Sequence, residues 1–202
     1  MATKLRQPAF PDRVQLPLRF DAALLERDLK ALEPEWIAHF VPQNYEGEWA
    51  AFPLRAPAGE THPIRMISAN PGVTEFVDTP ALARTPYFRE VLDSLKCPLL
   101  SVRLMRLGAG SVIKEHRDDT LSVEEGQARL HVPIVTDAAV EFMLNHRAVT
   151  MESGTLWYLR LSDPHSAVNR SSRDRIHLVI DVDANDWLLE RLAEGQAINA
   201  SA

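Results

Sequence analysis

The chain has 202 residues, 46% of them apolar and 25% charged, with a formal net charge of −6 and a single cysteine. The acidic balance excludes non-specific nucleic-acid binding as the main task, because phosphate recognition asks for a basic face. One cysteine rules out an intramolecular disulfide, and no stretch approaches the ~20 apolar residues of a membrane span.

The opening stretch, MATKLRQPAFPDRV, has no apolar run of the kind a secretory signal needs, so the expected location is cytoplasmic. DAALLERDLKAL (21–32) places Leu24, Leu25, Leu29 and Leu32 on one helical face, with Asp21 as N-cap and Pro34 as stop. GEWAAFPLRAPAG (47–59) reads as a short strand followed by a loop. TPYFREVLDSL (85–95) reads as a second helix, with Thr85 as cap and Pro86 in its first position. Cys97 falls in LKCPLL, an apolar setting that predicts a buried structural thiol.

From residue 99 the texture changes to short alternating segments: LLSVRLMRL (99–107), SVIKEH (111–116), ARLHVPIVT (128–136), AVEFML (139–144), RAVTM (147–151), GTLWYLR (154–160), HSAVN (165–169) and DRIHLVIDV (174–182). Gly108, Gly110, Gly126, Asn145, Gly154 and the Asp163–Pro164 pair supply turns between them. About eight short strands at close spacing predict an all-β core of two facing sheets, a double-stranded β-helix (jelly roll, cupin-like). DWLLERLAE (186–194) then reads as a closing helix. The expected organisation is a single domain over 1–202: a mixed helix and strand support region (1–98), a jelly-roll core (99–182), and a helix and tail (183–202). The flanking helices are expected mainly from the N-terminal third.

Side chains two apart on a strand share a face. In ARLHVPIVT, Arg129 and His131 therefore share one face, and Leu130, Val132 and Ile134 take the other. In DRIHLVIDV, Arg175 and His177 oppose Ile176, Leu178 and Ile180. A solvated outer face explains either strand alone, but Arg-x-His twice in a chain with seven histidines suggests a polar barrel interior. Arg103 and Arg106 have opposite parity, so only one of them faces that interior.

The run IKEHRDDT (113–120) ends a strand in Glu115, His116, Arg117, Asp118 and Asp119, five ionisable side chains that follow Lys114. It is either a solvated loop or part of a metal site, because His116 and Asp118 are two residues apart. His165 opens a later strand, and Arg175 lies ten residues beyond it. Two histidines and one carboxylate facing a cavity make the facial triad of non-haem iron(II) oxygenases, which leaves coordination positions open. A structural zinc site usually recruits cysteine, and only one is present. Asp119 is the alternative carboxylate, but it points to the opposite face of a strand. Arg175 suits a carboxylate clamp, since a guanidinium gives bidentate, charge-assisted hydrogen bonds.

Taken together, IKEHRDD, ARLHVPIVT, GTLWYL and DPHSAVNRSSRDRIHLVIDV resemble the aspartyl/asparaginyl β-hydroxylase family of 2-oxoglutarate-dependent oxygenases, over roughly residues 100–182. WAAFPLR upstream carries a weaker echo. The resemblance implies a jelly roll holding Fe(II) on His116, Asp118 and His165. Arg175 matches the residue that pairs with the distal carboxylate of 2-oxoglutarate, and Arg129 and His131 match a pair near the cosubstrate's metal-binding end. The implied reaction decarboxylates 2-oxoglutarate to succinate and carbon dioxide and hydroxylates an unactivated C–H bond.

Animal members acting on aspartyl side chains carry glycine where this chain has Asp118, and they follow a membrane anchor. Asp118 moves the expectation towards bacterial members acting on free amino acids such as proline, and away from a halogenase-type site. Free-proline hydroxylases usually continue well past the barrel, whereas this chain ends about twenty residues after it. The substrate therefore does not carry over. The expected partners are a small-molecule or short-peptide substrate and dioxygen, with no nucleic acid and no membrane. The alternatives are the same chemistry on a peptide or carrier-tethered aspartyl or asparaginyl residue, and a non-catalytic cupin-like binding protein.

Plainer readings stand beside these. His131 is either a satisfied core histidine or a cosubstrate contact, and His177 is structural or bonded to a ligand. His39, His62 and His146 carry no spacing argument. Trp157 is expected in the core with its N–H partnered. Asn169, Ser171 and Ser172 are expected to organise a turn, and Arg117 faces solvent or the substrate mouth.

Overall fold

The structure is a computed structural model that describes residues 10–68 and 72–199. Four α-helices are present among them: α1 (Ala22–Leu32), α2 (Pro63–Ile67), α3 (Pro86–Ser94) and α4 (Asp186–Asn199). Five strands precede residue 99: β1 (Arg13–Arg19), β2 (Ile37–Ala38), β3 (Tyr45–Glu46), β4 (Trp49–Pro57) and β5 (Phe76–Asp78). The eight that follow are β6 (Leu99–Leu107), β7 (Val112–His116), β8 (Gln127–Val135), β9 (Val140–Leu144), β10 (Arg147–Ala148), β11 (Thr155–Leu159), β12 (His165–Asn169) and β13 (Arg175–Asp183). They match the eight alternating segments of the sequence. Three of the four helices precede β6, although only α1 lies near the N-terminus.

The strands form two antiparallel sheets. The larger runs β1-β11-β8-β13-β6-β4-β2, with β5 also on β4, and the smaller runs β10-β9-β12-β7-β3. One apolar cluster joins Met105, Leu107 and Val179 of the large sheet to Ile113, Phe142 and Ala167 of the small one, so the sheets face each other as a jelly roll. β4 is longer than its sequence suggests, because Pro53 and Pro57 lie inside it. No helix among the described residues is long and apolar enough to cross a membrane.

A second apolar cluster lies on the outer face of the large sheet. Leu104, Leu130, Val132, Leu178 and Ile180 pack there against Leu25 and Leu29 of α1, Phe88 and Leu92 of α3, and Leu188 and Leu192 of α4. Each such fully buried aliphatic side chain contributes about 1.5–3 kcal/mol. This burial pins the strand register, since a one-residue slip would send Arg129 and His131 outward in place of Leu130 and Val132. Packing on the outside thus aims the polar residues inward, between the sheets.

Two helix caps differ in instructive ways. Asp21 caps α1 as expected, its Oδ1 accepting from Ala23 N at 2.8 Å and Leu24 N at 3.1 Å. Thr85 does not cap α3 with its side chain; its hydroxyl donates to the Leu82 carbonyl instead. The N-terminal N–H groups of α3 are taken by Asp28 of α1, whose Oδ2 accepts from Tyr87 N at 2.7 Å and Phe88 N at 3.1 Å. Cys97 is buried and free, and burial pushes its thiol pKa up to about 11.

Candidate functional site

β7 and β12 are neighbours in the small sheet, and their register sets His116 directly opposite His165. The two imidazole centroids are 4.3 Å apart. Asp118 lies past the end of β7, in a loop, so the shared-face spacing argument does not place it. The loop is stitched to the chain before β12: Asp118 N donates to Leu161 O at 2.9 Å and Ser162 N donates to Leu121 O at 3.3 Å. Arg117 joins in through the Ser162 carbonyl at 3.0 Å. These bonds bring one Asp118 oxygen to 3.8 Å from His116 Nε2. Donor atoms of His116, Asp118 and His165 all lie within 4.8 Å of one another.

Both histidines are oriented for ligation. His116 Nδ1 lies 2.8 Å from the Lys114 carbonyl, and His165 Nδ1 lies 3.0 Å from the Asp163 carbonyl. A carbonyl accepts only, so each Nδ1 is the donor and Nε2 is the nitrogen left to face a metal. Burial pushes the His165 pKa down, which favours the neutral ring and keeps the Nε2 lone pair available. Phe142 stacks on His165 at 6.1 Å between centroids, and Trp49 sits 5.9 Å from His116.

The inward faces of β8, β13 and β6 carry the charges. Arg129 donates from Nη1 to Asp118 Oδ2 at 2.6 Å, and from Nε and Nη2 to the two oxygens of Asp181 at 2.6 and 3.0 Å. Asp181 also accepts from Arg103, whose other terminal nitrogen donates to the Ile67 carbonyl. Burial works against the Arg129 cation, but the Asp181 and Asp118 carboxylates outweigh it and hold its pKa above the usual value. Burial likewise works against the Asp181 anion, and Arg129 with Arg103 holds its carboxyl below the usual range. Arg103 is thus the inward member of the pair in β6. Arg106 lies instead over the Trp36 ring and pairs with Glu48 at 2.6 Å.

Arg175 is different. It is 4% exposed, it contacts His177 Nδ1 at 3.0 Å, and its Nε has no hydrogen-bond partner among the described residues. Its pKa is pushed down to about 9 by burial alone, with no carboxylate to offset it. His131 is buried beside it, with Nδ1 3.4 Å from His177 Nδ1 and an unpartnered Nε2. Burial and then the Arg175 charge hold His131 and His177 well below the ordinary histidine range, so both are neutral.

Two cavities meet at His116, Asp118 and Arg129. A small one of about 40 Å³ is lined by Arg175, His131, Phe142 and His165. An outer one of about 510 Å³ is lined by Ser101, Arg103, Asp181, His39, Phe40 and Trp49 among others. Ser101 Oγ, Arg103 Nε and His39 Nδ1 are buried in its wall without hydrogen-bond partners among the described residues. The structure therefore brings together His116, Asp118, His165, Arg129, His131 and Arg175. Asp119 is exposed and outside the triad, although it lines the outer cavity.

Sequence reasoning missed Asp181, Ser101, Trp49 and His39. Asp181 was within reach, because it continues the 175-177-179 face of β13. His39 stacks on Trp49 at 3.5 Å between centroids, a contact no spacing rule announces. Trp157 donates to Thr155 Oγ1 at 2.9 Å as expected, and Asn169 ties its turn through the Leu107, Gly108 and Arg173 carbonyls.

Residues 20–185 match the profile of the family described as aspartyl/asparaginyl beta-hydroxylase. An L-proline cis-4-hydroxylase of Rhizobium meliloti (strain 1021) is 28% identical over 169 residues, covering 83% of this chain and 59% of that protein. The chain thus spans about three fifths of the length of that relative. Two solved structures share the fold at a TM-score of 0.53 each. One is an oxidoreductase of the 2OG-Fe(II) oxygenase family from Burkholderia pseudomallei, 17% identical, covering 86% of each chain. The other is HygX from Streptomyces hygroscopicus with nickel and 2-oxoglutarate bound, 12% identical, covering 88% of this chain and 84% of that one. With a profile match across most of its length and the jelly-roll fold that goes with it, the chain belongs to the aspartyl/asparaginyl β-hydroxylase family.

Proposed function

We propose that the chain is an Fe(II)- and 2-oxoglutarate-dependent dioxygenase that hydroxylates an unactivated C–H bond of a free amino acid or an amino-acid-derived small molecule. The observation that carries this reading is a cluster of three side chains able to ligate a metal beside a buried arginine that has no anion among the described residues. His116, Asp118 and His165 would hold the iron. Arg175 would take the distal carboxylate of 2-oxoglutarate, while Arg129 and the free Nε2 of His131 lie towards its metal-binding end. When bound, the iron and cosubstrate would supply the oxidant: 2-oxoglutarate and dioxygen would give succinate and carbon dioxide, one oxygen atom entering succinate and the other the substrate's new hydroxyl.

The chain's own groups do the positioning. Phe142, Leu161, Met105 and Ile113 give the inner cavity apolar walls that exclude water. The substrate would occupy the outer cavity, where a carboxylate on it would satisfy Arg103 Nε and Ser101 Oγ. The likeness to a proline hydroxylase supports a free amino acid as substrate. The breadth of the outer cavity, about 510 Å³, favours the second reading, a peptide or carrier-tethered residue. A buried, unpaired Cys97 suits the reducing cytoplasm we assign to it.

The test is anaerobic addition of Fe(II) and 2-oxoglutarate to metal-free protein. A visible metal-to-ligand charge-transfer band is expected in the wild type and not in His165→Ala. Amino acids and peptides are then screened for succinate release. Iron-loaded, folded wild-type protein without the band would leave the non-catalytic cupin-like reading in its place.

A further inference from the structure

We propose that Asp181 is a positioning residue for the metal's carboxylate ligand, acting through Arg129. The proposal rests on His116, Asp118 and His165 being the iron site.

Asp118 stands on a loop beyond β7, where strand pairing does not fix its side chain. What fixes it is Arg129, which holds Oδ2 at 2.6 Å and leaves Oδ1 facing His116 Nε2 at 3.8 Å. One oxygen is thereby committed to a guanidinium and the other to the metal position. This arrangement favours monodentate ligation and keeps neighbouring positions open for other ligands. A guanidinium is planar, so its direction is set by whatever holds its other edge. Asp181 holds that edge with both oxygens, at 2.6 and 3.0 Å, from the directly paired position on β13. Arg103 holds Asp181 in turn, and the Ile67 carbonyl at the end of α2 anchors Arg103.

The burial of this relay argues for a geometric role. Arg103, Asp181 and Arg129 are only 4%, 6% and 9% exposed. A buried ion network of this kind adds little or nothing to stability over well-packed apolar side chains. Val179, two residues before Asp181 on the same face of β13, shows that this wall accepts an apolar residue. The relay does what an apolar wall cannot: it gives Arg129 one orientation, and Arg129 gives Asp118 one.

The test measures Co(II) binding to metal-free protein by calorimetry, together with the Co(II) d–d absorption spectrum. Asp181→Asn keeps the shape but turns one acceptor into a donor facing Arg129. Binding is expected to weaken ten- to a hundredfold, the range seen when groups supporting metal ligands are removed. The Co(II) spectrum should change, and Asp181→Glu should restore part of the affinity. A role confined to stability would lower the melting temperature and leave both readouts unmoved. If Asp181→Asn does not fold, Arg103→Met/Asp181→Asn removes the excess buried cation and is judged by the same criteria. Wild-type protein that binds no Co(II) would overturn the iron-site reading along with this proposal. Wild-type binding with equal affinity and an unchanged spectrum in the folded variant would overturn the proposal alone.

Discussion

Arg175→Met should make the cosubstrate-free protein more stable while abolishing its response to 2-oxoglutarate. Burial pushes the Arg175 pKa from 12.5 down to about 9. At about 1.4 kcal/mol per tenfold change in proton affinity, that is a cost of several kcal/mol. Because the folded pKa lies below the unfolded one, the cost is fully present at neutral pH, where both states are protonated. A guanidinium keeps its proton across the ordinary pH range, so titration does not relieve the cost. Methionine removes the buried charge but loses the 3.0 Å contact with His177 Nδ1, a bond of about 1.5–3 kcal/mol. The balance leaves a net gain of roughly 1–3 kcal/mol, at the scale seen when buried charges give way to apolar side chains. In a protein of this size each kcal/mol is worth about 2–4 °C in Tm.

The ligand side follows from the same missing anion. Wild-type protein loaded with Mn(II) should gain about 2.7 kcal/mol at a 2-oxoglutarate concentration a hundred times its Kd. Deleting one partner of a buried ion pair costs about 2–5 kcal/mol, which weakens 2-oxoglutarate binding by about one and a half to three and a half orders of magnitude. Thermal melts of both proteins, with and without 2-oxoglutarate, measure the two effects in one experiment. The reasoning is refuted if Arg175→Met melts below the wild type and still gains the same increment from 2-oxoglutarate.

Two further outcomes are expected. Buried His131 and His177 are held neutral in the folded chain, and burial pushes His39 down to about 4, while the unfolded chain protonates near 6.5. The unfolded state therefore binds more protons below that pH, and stability should fall as the pH drops from 6.5. The slope is at most about 1.4 kcal/mol per pH unit for each buried histidine. Urea midpoints that stay flat between pH 7.5 and 5 would contradict neutral, buried imidazoles. Asp28→Ala should destabilise more than Asp21→Ala, about 2–3 against about 1 kcal/mol, because Asp28 caps α3 from a buried position. Equal losses in urea unfolding would remove Asp28 as the working cap.

The strands of the core were legible because their alternation is enforced by packing. β6 and β12 begin and end where the alternation does. The Arg-x-His faces of β8 and β13 point inward because Leu130, Val132, Leu178 and Ile180 are claimed by the helices outside. The triad was legible for a different reason, a resemblance combined with spacing. The strand-face argument for Asp118 fails, since a loop held by Leu161 and Arg129 presents it. β1 was missed because Pro17 interrupts RVQLPLR; the strand tolerates it as the end member of its sheet, with its register shifting across Leu16 and Arg19.

Alternation along a strand says which face a residue takes and nothing about its partner. Arg129 lies 52 residues from Asp181, and Arg103 lies 78 from it. Their pairing depends on β8, β13 and β6 lying side by side in register, which local pattern does not encode. The same limit bears on the inward arginines. Spacing and resemblance single out Arg175 as a clamp, but alternation alone treats Arg103, Arg129 and Arg175 alike: a guanidinium on the polar face of a strand. In the fold two of them are neutralised by Asp181 and Asp118, and the third is not. A buried cation with no anion costs the fold stability until an anion arrives, which is why Arg175 is the arginine we propose for the cosubstrate's distal carboxylate.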